Sequence, residues 1–317
     1  MNINRKEEHI RPDTPDTPVT LKRCGNVYEI RYMKSRPNPA IEKLDADNYI
    51  DLRTGEVKPI THATSRKANL ASVSQSLRNL RDLINANLTA PDSALWVTFT
   101  YAENMQDTKR LYEDFRRFWQ RFQYYLKKQG YSPAEYIIAA EPQGRGAWHL
   151  HGLLLFPEKA PFVPNEEIAK HWKQGFTKTK SLLGISNPGL YLTAYLGDME
   201  INEAISTGAA RGKLTEVTGR DGTRKGVVKG ARLHLYPTGF HLYRTSRGIK
   251  RPVEYQLTEE EAQMMVAKIP LAYEKTISVT DGDGNVRNII NYRQYNKALA
   301  EAQETAETAV SGEKQAT

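Results

Sequence analysis

The sequence has very little of what a secreted or membrane-spanning protein needs. Cys24 is the single cysteine among 317 residues, so no disulfide can form within the chain, and a reducing cytoplasm is favoured. No stretch approaches the roughly 18 consecutive apolar residues of a membrane helix. Residues 1–18 also lack the apolar segment of a signal peptide. We therefore expect a cytoplasmic protein that has no membrane partner.

Acidic residues are scarce in one segment. Residues 211–251 contain eleven Lys or Arg but only two acids, Glu216 and Asp221, so eleven minus two gives +9 against +8 for the whole chain. Such a concentration of positive charge favours a polyanionic partner, above all nucleic acid. The alternative is a solvated loop, or a strand pair that exposes its Lys and Arg side chains to water.

Aromatic residues are interleaved with the cations of this basic segment. Tyr236, Phe240 and Tyr243 alternate with Arg and Lys, a pattern that lets cations hold a phosphate backbone while rings stack on unpaired bases. The predicted DNA contacts are Arg145, Lys178, Lys180, Arg232, Tyr243, Arg244, Arg247, Lys250 and Arg251.

Hydrophobic periodicity predicts an α+β chain. The predicted elements are helices over 64–88 and 107–130, shorter helices from about 166 and from Asn187-Pro188, strands over 95–101, 135–141 and 148–156, and a hairpin over 275–292. The order β-α-β-β-α is that of a split βαβ, or ferredoxin-like, layer. We expect a mostly antiparallel central sheet with helices packed on one face, and extra strands from both ends of the chain.

Two histidines share one face of a predicted strand. His149 and His151 are two residues apart, so both imidazoles project to the same side. A Gly-rich turn follows the preceding strand, which ends at Glu141, and it brings that carboxylate near the pair. Two nitrogens and one oxygen with open positions form a catalytic metal site suited to Mn²⁺ or Mg²⁺, with zinc not excluded. The alternative is two half-exposed histidines in ordinary hydrogen bonds.

Two tyrosines share one face of a predicted helix. Tyr191 and Tyr195 are four residues apart, so two phenol hydroxyls are presented together. Taken alone, this spacing is as typical of an aromatic stripe in a core. A metal site before it and a basic segment after it favour a nucleophilic role, because a metal that polarises a phosphate assists attack by a weakly nucleophilic phenol.

Three blocks resemble, in order, the motifs of rolling-circle replication initiators of the HUH endonuclease superfamily. The blocks are VTFTY (97–101), AEPQGRGAWHLHGLLLF (140–156) and YLTAYLGD (191–198). The flanking blocks NPGLYLTAYLGD (187–198) and RLHLYPTGFHLYRTSRGIKRP (232–252) look most like initiators encoded by plasmids and phages of Gram-positive bacteria. The resemblance implies a sequence-specific nickase and strand transferase that acts on single-stranded or hairpin origin DNA.

The resemblance also implies roles for individual residues. His149, His151 and Glu141 would be metal ligands. Tyr195 would attack a phosphate, hold the 5′ end as a phosphotyrosine and release a 3′-hydroxyl, while Tyr191 matches a second nucleophile. No GxxxxGK[ST] loop is present, so a host helicase and polymerase are expected as partners.

One position departs from the pattern of these initiators. Many relatives carry a lysine three residues after the catalytic tyrosine or just before the second one, where this chain has Asp198 and Ala194. Lys178, Lys180 or an arginine of the basic segment would have to stabilise the phosphate instead. Relaxases and single-strand transposases share the chemistry, although relaxases usually place their tyrosine ahead of the histidines. A non-catalytic origin-binding protein is the alternative outside the enzymes.

These inferences predict a division of the chain. The expected parts are a disordered segment (1–20), an N-terminal extension that packs on the core (21–94), an HUH nuclease core (95–200), a basic DNA-contacting segment with a helix and a hairpin that complete the domain (201–300), and a disordered tail (301–317).

Overall fold

A computed structural model describes residues 4–8, 10–12, 14–35, 40–61, 70–206, 208, 214–218, 224–237 and 239–300. The strands are β1 (Asn4–Glu8), β2 (Pro18–Cys24), β3 (Val27–Met33), β4 (Ile41–Lys43), β5 (Asn48–Asp51), β6 (Val57–Pro59), β7 (Ala94–Thr100), β8 (Glu135–Pro142), β9 (Trp148–Leu155), β10 (Thr177–Lys180), β11 (Met199–Glu200), β12 (Leu214–Thr218), β13 (Arg224–Val228), β14 (Tyr243–Thr245), β15 (Val253–Thr258), β16 (Leu271–Thr280) and β17 (Val286–Asn296). The helices are α1 (Leu70–Asn87), α2 (Thr108–Lys128), α3 (Asn165–Trp172), α4 (Pro188–Gly197), α5 (Ile201–Ser206) and α6 (Glu259–Val266), with 3₁₀ turns at Pro91–Ser93 and Ala231–Leu235.

The chain forms two compact units. Unit 1 comprises Met1–Thr64 and Val253–Thr317, and unit 2 comprises Ser65–Pro252. The N-terminal extension expected over 21–94 and the basic segment expected over 201–300 are each divided between the two units. The tail expected over 301–317 lies outside the described residues.

Unit 1 contains a six-stranded antiparallel sheet in the order β1-β16-β17-β3-β2-β15. Its core includes Leu21 and Ile30 of the sheet with Ala262 and Val266 of α6. The sequence predicts disorder over residues 1–20, but β1 pairs along its whole length with β16. Main-chain hydrogen bonds to a neighbouring strand order this segment although its composition is polar. The predicted hairpin over 275–292 is confirmed as β16 and β17.

Unit 2 is built on a five-stranded sheet in the order β10-β7-β9-β8-β14. Each of its four strand pairs is antiparallel. The strands β11, β13 and β12 form a smaller antiparallel sheet in the same unit. At this level the predicted α+β class with a mostly antiparallel sheet is confirmed.

Helices cover both faces of the central sheet, whereas the sequence analysis predicts helices on one face. Phe99, Leu150 and Ile138 face a cluster that includes the apolar side of α2 and the buried Trp172 of α3. The opposite face packs Trp96 and its neighbours against α1 and α4. Three successive residues of β9, 153–155, are all buried leucines, so the sheet has apolar surface on both sides that must be covered. Among the described residues, none of the helices combines the length and apolar character needed to cross a membrane.

Candidate functional site

The two predicted histidines lie side by side on the central strand of unit 2. In β9, His149 pairs with Thr100 of β7 on one side and with Glu141 of β8 on the other. His151 follows two residues later and pairs with Thr98 of β7. Because residues two apart share a face, both imidazoles belong to the side of the sheet that α1 and α4 cover. Both are partly buried.

Glu141 joins this pair directly. Its Oε2 atom lies 2.6 Å from Nε2 of His151 and 4.0 Å from Nδ1 of His149. Its Oε1 atom lies 3.3 Å from a guanidinium nitrogen of Arg232, a side chain that is only 5% exposed. The structure therefore brings together the three side chains expected as metal ligands, and it adds a buried cation behind the carboxylate.

The hydrogen bonds of His151 define its tautomer. An ionised carboxylate can only accept, so Nε2 of His151 carries the proton that is donated to Glu141. Nδ1 is then free to accept from the Thr98 hydroxyl, 3.3 Å away. The ring is thus oriented from β7 on one side and from β8 on the other.

The electrostatic surroundings keep the carboxylate charged. Burial opposes ionisation of Glu141, but the hydrogen bond and charge of His151, together with the guanidinium of Arg232, outweigh it and lower the pKa of Glu141. Burial is also the main cause that lowers the pKa of His149, and the Glu141 carboxylate opposes that shift. His149 is therefore neutral near pH 7, the form in which imidazole binds a metal.

The donor chemistry of this cluster fits a divalent ion. The buried Nε2 atom of His149 has no hydrogen-bond partner among the described residues, and such a nitrogen needs an explanation such as an ion or a water. Two imidazoles and a carboxylate suit Mn²⁺ or Mg²⁺ with waters completing the coordination. Within the described ranges, no three His, Cys, Asp or Glu residues form a ready-made ligand group. An ion would have to displace the proton that His151 shares with Glu141.

Helix α4 carries both predicted tyrosines beside the histidine face. The ring of Tyr191 meets Trp96 of β7 edge-on at 5.5 Å, and the same tryptophan lies 6.2 Å from the ring of His151. Trp96 therefore contacts both the helix and the histidine pair. Tyr195 lies one turn further along α4, and its side chain is outside the described part of the structure.

The start of α4 is fixed against α1. The side chain of Asn187 caps the helix by accepting from Leu190 N, as the sequence predicts, and it also accepts from Asn85 of α1. A Cβ atom added at Gly189 would lie 2.3 Å from the carbonyl oxygen of Arg81, so this close contact requires glycine. The two helices are consequently held in a single packing arrangement.

The end of α4 is fixed against the sheet by residues of the basic segment. The hydroxyl of Tyr236 donates to the carbonyls of Ala140 in β8 and Leu196 in α4, at 2.9 and 3.1 Å. Arg232 donates to the carbonyls of Pro142 and Asp198, at the ends of the same two elements. These four hydrogen bonds tie the end of the tyrosine helix to the strand that carries Glu141.

Three of the predicted DNA contacts lie on the histidine face. Lys178 and Lys180 of β10 pair with Thr98 and Trp96 of β7, so they project to the same side as the histidines. The ammonium of Lys180 lies 5.3 Å from the centre of the Trp96 ring. Tyr243 of β14 pairs with Ala139 and shares its face. The exposed Arg145, in the turn between β8 and β9, is close enough to help lower the pKa of His149.

Other predicted DNA contacts lie elsewhere. Arg232 is buried and its guanidinium also pairs with Glu203 of α5, so it holds the site together from behind. Arg244 pairs with Ile138 and projects to the opposite face of the sheet, where it stacks on Tyr112. The remaining three, Arg247, Lys250 and Arg251, are exposed in the segment that follows β14.

The sequence analysis did not identify several residues that support the site. Thr98 could have been found, because the alternation in VTFTY places it on the face opposite Phe99. Glu203, and the pairing of Asp198 with Lys229 at 2.6 Å, carry no signal in the sequence. Asp198, which stands where many relatives have a lysine, therefore binds a lysine that directly follows β13.

Comparisons with known proteins agree with the position of this site. A family model described as a replication-associated protein of the ORF2 type matches residues 94–200. This third of the chain contains the histidine pair, Glu141 and the whole of α4. The match supports a protein of the replication-initiator type and a role in replication initiation. No curated protein and no solved structure matches the chain.

Proposed function

We propose that the chain is a metal-dependent DNA nickase and strand transferase of the HUH type that initiates rolling-circle replication. One observation carries the proposal. Two histidines and a carboxylate converge on a sheet face that also contacts a tyrosine-bearing helix, and all of them lie within the span matched by the replication-associated family. The substrate would be single-stranded or hairpin DNA at an origin.

His149, His151 and Glu141 would hold the divalent ion, Mn²⁺ or Mg²⁺. When bound, the ion supplies polarisation of the phosphate oxygens and withdraws their negative charge. The contribution of the protein is a pre-arranged donor set. Thr98 orients His151, Arg232 keeps Glu141 ionised, and burial keeps His149 neutral. Outer groups of this kind are typically worth a factor of about 10–100 in metal affinity or activity.

The reaction would transfer a DNA strand to Tyr195. The phenol oxygen forms a bond to phosphorus, the bond from phosphorus to the 3′-oxygen breaks, and that oxygen leaves as a 3′-hydroxyl after taking up a proton. The 5′ end remains on the protein as a phosphotyrosine diester, so resealing needs no ATP. Tyr191 would serve as a second nucleophile that closes the replicated circle.

Cations on the histidine face would stabilise the phosphate. Lys178 and Lys180 project to that face from β10, which makes them the favoured substitutes for the lysine that relatives carry on the tyrosine helix. Asp198 in that helix position is already paired with Lys229. The Gram-positive type of element, a cytoplasmic location, and a host helicase and polymerase as partners belong to the same proposal.

The test is a covalent-adduct assay on a denaturing gel. Purified protein is mixed with single-stranded origin oligonucleotides in Mn²⁺ or in chelator. We expect a shifted band in Mn²⁺ alone, mapped by mass spectrometry to Tyr195. Tyr195→Phe should abolish the adduct while DNA binding persists. Tyr124→Phe is the matched control, because Tyr124 is an exposed tyrosine on α2.

Two results would contradict the proposal. Equal adduct from Tyr195→Phe and from the wild type would remove the assigned nucleophile. Tight DNA binding with no adduct across many origin hairpins would favour the non-catalytic origin-binding alternative. A relaxase or single-strand transposase would also form the adduct, and it would be distinguished by its failure to support rolling-circle replication of a plasmid that carries the origin.

A further inference from the structure

A cavity lies on the face of the unit 2 sheet that does not carry the histidines. It has a volume of about 390 Å³ and opens between α2 and the strands β8 and β14. This volume falls within the range of about 300–1,000 Å³ that is typical of small-molecule sites. Nothing in the proposed nicking reaction uses this cavity.

The floor of the cavity is aromatic and rigid. Tyr112, Phe115 and Tyr136 line it, and the rings of Phe115 and Tyr136 meet edge-on at 5.0 Å. The hydroxyl of Tyr112 donates to the carbonyl of His241 at 2.7 Å, which fixes the orientation of that ring. A floor of this kind offers flat apolar surface to a planar ligand.

The rim of the cavity is cationic. Lys109, Arg116 and Arg244 line it and are exposed, and none of the three makes an ion pair with a described residue. The acid of the rim, Glu113, has Arg117 as a neighbour at 3.9 Å. Three cations beside one acid, left without ion-pair partners in the described structure around an enclosed space, indicate an anionic ligand.

Arg244 links the floor to the rim. Its guanidinium lies 4.0 Å from the centre of the Tyr112 ring, so one face of the planar group is covered by the tyrosine. The side chain is exposed, so its outer face can stack on a base in the way that guanidinium planes do in nucleic-acid complexes. A planar ring with a phosphate attached is the ligand that satisfies both parts of the cavity.

We propose that this cavity binds one unpaired nucleotide, with the base on Arg244 and the aromatic floor and the phosphate on Arg116 and Lys109. The edge strand β14 connects it to the nicking face, since Tyr243 projects to one side of the sheet and Arg244 to the other. A single strand that passes around this edge would contact both faces. The inference rests on the proposed function only in taking a DNA strand as the source of the nucleotide.

The test measures binding without nicking. A fluorescein-labelled single-stranded oligonucleotide is titrated with protein in chelator, and anisotropy is followed at several salt concentrations. We expect the double variant R116Q/R244Q to bind about fivefold or more weakly, the effect of losing one stacked base. We also expect its salt slope to be shallower by about 0.7 for each phosphate that the variant no longer binds.

The matched control is Lys128→Gln, which removes one exposed charge at the far end of α2. It should bind the oligonucleotide like the wild type, and circular dichroism should show that all variants are folded. Titration with deoxythymidine monophosphate distinguishes the two sources of a nucleotide. Saturable binding that R116Q/R244Q loses indicates a free nucleotide, whereas weakened binding of the oligonucleotide alone indicates a nucleotide within a strand.

Crosslinking supplies an independent readout. An oligonucleotide containing 5-iodouracil is irradiated with the wild-type protein, and crosslinked peptides are mapped by mass spectrometry. Peptides that contain Tyr136 or residues of α2 would support the site. The inference is overturned if R116Q/R244Q binds both probes as Lys128→Gln does, or if crosslinks fall on the histidine face alone. Neither result depends on adduct formation, so the nickase proposal stands or fails separately.

Discussion

Arg232 is the residue whose replacement should reveal most about how the site is held. Its buried guanidinium contacts the carboxylates of Glu141 and Glu203 and the carbonyls of Pro142 and Asp198. Arg232→Met fills a similar volume but leaves the buried Glu141 carboxylate without its cation. Breaking a buried pair in this way costs about 3–5 kcal/mol. Because Glu203 is partly exposed and can be rehydrated, we expect about 3 kcal/mol, the lower end of that range.

Urea unfolding followed by tryptophan fluorescence measures this loss. Trp96, Trp119, Trp148 and Trp172 all lie in unit 2, so the signal reports on the unit that contains Arg232. With a slope of about 2 kcal/mol per molar urea, the midpoint should fall by about 1.5 M. Arg232→Lys should lie between the wild type and Arg232→Met, because lysine keeps the charge but not the forked donor geometry.

Lys229→Met provides the control for this experiment. Lys229 pairs with Asp198 in the same segment, but its side chain is 45% exposed, so its loss should cost no more than about 1 kcal/mol. A midpoint shift for Arg232→Met that is no larger than that of Lys229→Met would refute the reasoning. It would mean that water replaces the guanidinium behind Glu141 at little cost.

Three further variants test other parts of the site. His149→Gln removes the unpartnered imidazole nitrogen, so calorimetric titration with Mn²⁺ should show at least a tenfold loss of affinity, and unchanged affinity would remove His149 from the ligand set. Gly189→Ala places a Cβ atom against the carbonyl of Arg81 and should lower the free energy of unfolding by about 1–3 kcal/mol in urea; a neutral result would mean that α1 and α4 are not in close contact. Tyr236→Phe leaves two buried carbonyls without their donor and should cost about 1–3 kcal/mol by the same method, whereas a stability equal to that of the wild type would show that the hydroxyl does not tie α4 to the sheet.

The residues of the candidate site that were found from sequence belong to local patterns. His149 and His151 share a face because of the two-residue period of a strand, and this period needs no information from the rest of the chain. Glu141 was found because a short Gly-rich turn forces the two strands to pair, and the observed register places it opposite His149. The helix cap at Asn187 was found for the same reason, since its hydrogen bond spans three residues.

The sequence could not indicate which strands lie at the edges of the sheet. Residues 177–180, TKTK, are short and polar, and they form a strand because β7 offers an unpaired edge. That pairing is what brings Lys178 and Lys180 to the histidine face. Likewise, the faces of Tyr243 and Arg244 follow from the register of β14 on β8, so a continuous basic stretch is divided between the two sides of the sheet.

Local patterns in the sequence were enough to establish the α+β class, the histidine pair with its carboxylate, and the tyrosine helix, because each depends on periods of two to four residues or on one tight turn. Tertiary packing was needed to place Arg232 behind Glu141, to cover both faces of the sheet with helices, and to form a cationic cavity opposite the histidines. Each of these features depends on contacts between residues far apart in the chain. Such contacts are selected by the packing of the whole unit, since a buried charge or apolar face is stable only where a distant partner covers it.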